Sequence, residues 1–156
     1  MMEIKITLFI TLVMYALVIS QSFFYILAMT STLKKMQAAT YIETRNLLTS
    51  TLAVPLQWIY YITMAAIILL IAFCVVNPSG PLFICAIIAL VALLADALLA
   101  VRGNIPLNKF ISSWTSVDYP PNWKQYRSKW FTLYHVRQAL NITGFVSLLA
   151  ALVFGI

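Results

Sequence analysis

Charge is what this chain has least of. Only 9% of its 156 residues are Asp, Glu, Lys or Arg, and the acidic ones number four. Soluble domains carry about 25% charged residues, so this composition excludes a water-coated globule. Histidine occurs once, at His135, and cysteine twice, at Cys74 and Cys85. Zinc and di-iron sites gather several such ligands, so no metal is expected; a single axial haem ligand is the one exception, and nothing else speaks for it. Glycine is limited to four residues. There is neither a Gly-rich phosphate loop nor a Gly-x-Ser-x-Gly elbow, and no cofactor with a familiar binding motif is expected. The chain also lacks internal repeats, low-complexity tracts and any sign of a second domain.

Apolar residues, by contrast, make up 63% of the chain and fall into long runs. Residues 6–33, 46–95 and 138–156 carry no charged side chain. A bilayer core needs roughly 20 apolar residues per helix. The first run therefore predicts a span over about 6–32. A cleavable signal peptide is the competing reading, but the run exceeds the roughly 7–15 residues of a signal core. No Ala-x-Ala pattern follows it either, so the span is expected to be retained. The second run is too long for one helix and breaks at Asn77-Pro78-Ser79-Gly80-Pro81, giving spans over about 55–76 and 81–101. Cys74 and Cys85 flank this turn; they read either as small buried hydrophobes or as a disulfide, and spacing alone leaves both open.

Gln37–Leu52 predicts a short interfacial helix, with Tyr41, Leu48 and Leu52 on one face and Glu43 and Arg45 toward the polar edge. Asn104-Ile105-Pro106 predicts the end of the third helix, since the residue before proline avoids the helical region. The fourth helix is expected to start near Asn122, with Gln125 at its third position, and to cross the bilayer over about 132–154. The expected fold is all-α: a four-helix transmembrane bundle in one domain, with a polar segment between spans three and four.

Lys34, Lys35 and Arg45 lie between spans one and two; Arg102, Lys109, Lys124, Arg127 and Lys129 lie between spans three and four, with Arg137 at the edge of that region. Positive residues stay inside, which predicts cytosolic basic loops and outward-facing termini, in a bacterial inner membrane. The net charge of +6 thus reflects topology and attraction to anionic lipid heads; nucleic acid is not an expected partner.

Spacings of four and three put Trp123, Arg127, Trp130, Tyr134, Arg137 and Asn141 on one face of the fourth helix. An aromatic belt with snorkelling arginines accounts well for Trp123 and Trp130, but less well for Arg137 and Asn141, deeper in the span. Asp96 lies within the third span, about 9 Å beyond Arg102. Antiparallel packing brings it level with Arg137 and Asn141, making Arg137 its expected partner. Gln57 reaches a similar depth from span two. These residues predict either a polar pocket in the inner half of the bundle or simply a structural ion pair.

Ile105-Pro106-Leu107-Asn108, followed by Trp114, Trp123, Arg127, Trp130, His135 and Arg137, resembles the anthrone-oxygenase-like family of four-span membrane proteins. The specific part of the likeness covers about residues 102–141. The resemblance implies oxygen insertion at an activated methylene without metal or flavin. His135 would then be the general base, Asn108, Arg127 and Arg137 the donors to an enolate oxygen, and Trp123 and Trp130 the stacking platform. Two function classes follow: a membrane oxygenase acting on a planar hydrophobic compound, and a non-enzymatic protein that binds a hydrophobic ligand or serves in a larger membrane complex. A transporter ranks third, because four spans without an inverted repeat would need a homo-oligomer.

Overall fold

The computed structural model describes residues 2–76 and 80–154. Most of the turn expected at Asn77–Pro81 lies outside the described residues. Four helical stretches are long and apolar enough to cross a bilayer: Met2–Lys35, Ala38–Cys74, Pro81–Ser112 and Trp123–Phe154. The chain is an all-α, four-helix integral membrane protein, with no strand among the described residues.

The first stretch consists of α1 (Met2–Phe24), a wide π turn (Tyr25–Met29) and α2 (Thr30–Lys35). Next comes α3 (Ala38–Cys74), then α4 (Pro81–Leu99), a second π turn (Ala100–Asn104), α5 (Ile105–Ser112) and α6 (Trp123–Phe154). Two expectations are corrected here. Residues 38–52 do not form a separate interfacial helix: α3 runs unbroken through Pro55, whose missing donor falls on an exposed face. Nor does Asn104-Ile105-Pro106 end the third span. The π turn loosens the hydrogen-bond ladder just ahead of Pro106, so the ring is accommodated and the helix continues as α5. The start of α6 falls where expected, although the Asn122 amide pairs with the Gln125 side chain rather than capping the backbone.

α1, α3, α4 and α6 close a ring in which each packs on two neighbours, with α4 and α6 in the most extensive contact. Small residues permit that approach: Ala86, Ala89 and Ala92 line the buried face of α4 opposite Gly144, Leu148 and Ala151 of α6. A methyl group at Gly144 would lie 2.0 Å from the Tyr15 hydroxyl and 3.3 Å from Ala92 Cβ. Cys74 and Cys85 are free thiols.

Every span exceeds the roughly 20 residues that a bilayer core requires. The interior divides in two. One core is mainly aliphatic, built from residues such as Leu8, Ile67, Leu70, Leu93 and Leu148 around Tyr15. The other, at the basic end, is aromatic: Tyr25, Tyr41, Trp114, Trp123, Trp130, Phe131 and Tyr134. Arg127 ties the second core together. It donates to the carbonyls of Leu33 and Met36 at 3.2 Å each, where the chain breaks between α2 and α3, and stacks over Trp123 at 4.5 Å. Those carbonyls would otherwise be orphans of a helix end.

Candidate functional site

A cavity of about 590 Å³ lies in the basic half of the bundle, walled by α1, α3, α4, α5 and α6. Leu48, Leu52 and Leu56 of α3, with Ala97, Val101 and Ile105, make its wall mainly apolar. Two polar groups interrupt that wall.

The first forms around Asp96. Arg137 Nε lies 2.7 Å from Asp96 Oδ1 and its Nη2 lies 3.4 Å from Oδ2. The Tyr60 hydroxyl donates to Oδ2 and accepts from Arg137 Nη2 and Asn141 Nδ2, both at 3.4 Å. Asp96 is 0% exposed, so its charge is held inside the bundle by the guanidinium and the phenol. The partnership expected from antiparallel depth is present.

The second group has no acid in it. Arg45 is only 4% exposed, and no carboxylate pairs with it among the described residues. Its Nη2 donates to Asn108 Oδ1 at 2.7 Å, and its Nη1 reaches the Tyr25 hydroxyl at 3.4 Å. The guanidinium lies 4.1 Å over the Trp130 ring, while Nε–H is buried without a partner. Trp130 Nε1 also donates to Asn108 Oδ1 at 2.7 Å. Two donors on that oxygen fix the orientation of the amide and leave its NH2 group for whatever enters the cavity. A well-placed cation–π contact contributes about 2 kcal/mol, against a desolvation cost of several kcal/mol for a buried ion. Arg45 is therefore undercompensated, whereas Arg137 is matched.

A continuous stack joins the two groups. Trp130 and Tyr134 are parallel at 4.7 Å, with Arg45 beyond one ring and Arg137 5.8 Å from the other. Spacings of four and three along α6 produce it.

Of the residues expected at a site, Asn108, Trp130, Tyr134, Arg137 and Gln57 line the cavity. Asp96 and Asn141 lie behind that lining and join it through Arg137 and Tyr60. Trp123 and Arg127 do not reach it: they pack on Tyr41 in the aromatic core, because α6 meets the α2–α3 break at that height. His135 is exposed and lies against Phe131, one residue and thus about 100° round from the lining face. A role for it as base in this cavity is set aside. Arg45 and Tyr25 were missed. For Arg45 the signal was there: residues 41, 45, 48 and 52 share one helical face, so it falls among the apolar positions and not at their polar edge.

The fold and the cavity thus define an integral membrane helical bundle with an apolar, positively charged interior site. No family model, no curated protein and no solved structure matches the chain.

Proposed function

We propose that this protein binds a hydrophobic small molecule inside the bundle, taken up from the leaflet at its basic end. One observation carries the reading: a cavity of about 590 Å³, with apolar walls and a few converging polar groups, within a membrane-spanning fold. The one-sided distribution of Lys and Arg supports a basic end in the cytosol and both termini outside. In detergent, anthraquinone should quench tryptophan fluorescence saturably. Ala97→Phe, which fills the cavity, should remove the saturable part, while His135→Ala leaves it intact. Quenching that rises without saturation and is unchanged in Ala97→Phe refutes the reading.

One contact favours an oxygenase form of this function: the cavity-lining Tyr60 hydroxyl donates to buried Asp96. An anthrone-type methylene would pass its proton to Tyr60 as the phenol proton moves to Asp96, and Asn108 would donate to the enolate oxygen. The carbanion then takes up dioxygen; one molecule each of substrate and O2 gives the quinone and one water. Oxygen uptake matched to anthrone consumed, and lost in Tyr60→Phe with binding retained, supports this form. Binding without uptake leaves the non-enzymatic ligand-binding protein.

A further inference from the structure

Resting on the reading of the cavity as a hydrophobic-ligand site, we propose that its ligand is an amphipathic organic anion. The oxyanion is received by Arg45 and Asn108, and the apolar body lies along the wall of Leu48, Leu52, Leu56 and Val101.

The two arginines at the cavity differ in what already holds them. Arg137 spends Nε and Nη2 on Asp96 and directs Nη1 to Asn104 Oδ1 at 3.5 Å. No comparable partner exists for Arg45 among the described residues, although it is the more deeply buried of the two. Only two of its five N–H groups have partners, and one of those contacts is a long 3.4 Å. The face of Trp130 and the hydroxyl of Tyr25 hold the planar fork in place without neutralising it. Asn108 faces the same space with its NH2 group free. Arg45 and Asn108 together present N–H donors and a fixed positive charge at the polar end of an apolar cavity.

The missing charge is single, which suits a monoanion such as a carboxylate, phenolate or enolate better than a phosphate monoester dianion. Lys109 stands exposed at the rim, where it draws anions toward the opening without being buried with them. A fatty-acid-like chain and a planar acidic ring share this chemistry, and the probes separate them.

The test uses the full chain in nanodiscs of zwitterionic phosphatidylcholine, with equilibrium dialysis corrected for uptake by empty discs. Palmitate is compared with hexadecanol, and anthraquinone-2-carboxylate with its amide. The acid should bind roughly ten- to a hundredfold more tightly than its neutral partner on at least one scaffold, as expected of a charge-assisted hydrogen bond in a dry site. The scaffold that shows the preference identifies the ligand as chain or ring. Arg45→Met should bring the ratio to about one without loss of the neutral probe. Asn108→Asp provides a second variant that supplies the absent carboxylate from within. It should stay folded, keep the neutral probe and likewise abolish the preference. Equal binding of acid and neutral partner by the natural protein overturns the anion assignment and leaves the hydrophobic-ligand reading standing. A preference that survives in folded Asn108→Asp overturns it too. Failure of all four probes to bind overturns both readings.

Discussion

Breaking the Asp96–Arg137 pair from either side should not cost the same, and the structure says which side is worse. Asp96 is 0% exposed and Arg137 14% in their side chains, so the carboxylate is the more deeply desolvated partner. In Arg137→Met, Asp96 retains only the Tyr60 hydroxyl. A buried charge left in that state costs about 3–5 kcal/mol. In Asp96→Asn, the guanidinium keeps Asn104, the Tyr60 oxygen and the Tyr134 ring, and its partial exposure opens on the cavity. The loss there should be smaller, about 2–3 kcal/mol. The double variant removes both charges together, so its loss should fall below the sum of the singles by about 2–3 kcal/mol. Unfolding in mixed detergent micelles, followed by far-ultraviolet circular dichroism, gives all three values in a double-mutant cycle. Additive losses, or Asp96→Asn proving the more damaging single change, would refute the reasoning.

Gly144→Ala should destabilise the bundle by about 1–3 kcal/mol, because the new methyl meets the hydroxyl end of the fully buried Tyr15 ring where α6 packs on α1. Gly103→Ala should cost less, since its nearest neighbours are the movable ends of Leu133; equal losses in the same detergent assay would contradict this packing account. For topology, Val117→Cys is 90% exposed beyond the basic end and can be labelled in a Cys74→Ala, Cys85→Ala background. An impermeant thiol reagent should reach it only after the cells are opened, and labelling of intact cells would reverse the assigned orientation.

The spans were legible because apolar runs of this length have few other uses, and the depth of Asp96 named its partner because antiparallel helices fix relative height. The breaks between helices were less legible. Proline signals are local, whereas the fate of Pro106 depends on a π turn that begins at Ala100, and Pro55 costs little where its lost donor would face outward. The stripe on α6 was a true face, but one face of a helix some 48 Å long meets different neighbours at different heights. Its upper part, Trp123 and Arg127, closes the aromatic core, and its lower part, Trp130, Tyr134 and Arg137, lines the cavity. His135 carried the chemically attractive side chain yet was never on that face.

Arg45 shows what a periodicity argument gains when polarity is not allowed to choose the face. Tyr41, Leu48 and Leu52 fix the buried side of α3 near its start, and spacings of four, three and four put Arg45 on the same side. A guanidinium in an apolar stripe is costly to keep, so it needs either an acid in the fold or a task that requires a free charge. Asp96, the buried acid, is occupied by Arg137. Of the other acidic residues, Glu3 lies at the far end of α1, while Glu43 is exposed two residues away, about 200° round the helix. Asp118 is exposed beyond α5, with its backbone N–H on the Thr115 hydroxyl. The carboxylates thus leave Arg45 unmatched, and its donors face a cavity with room for a molecule that brings its own negative charge.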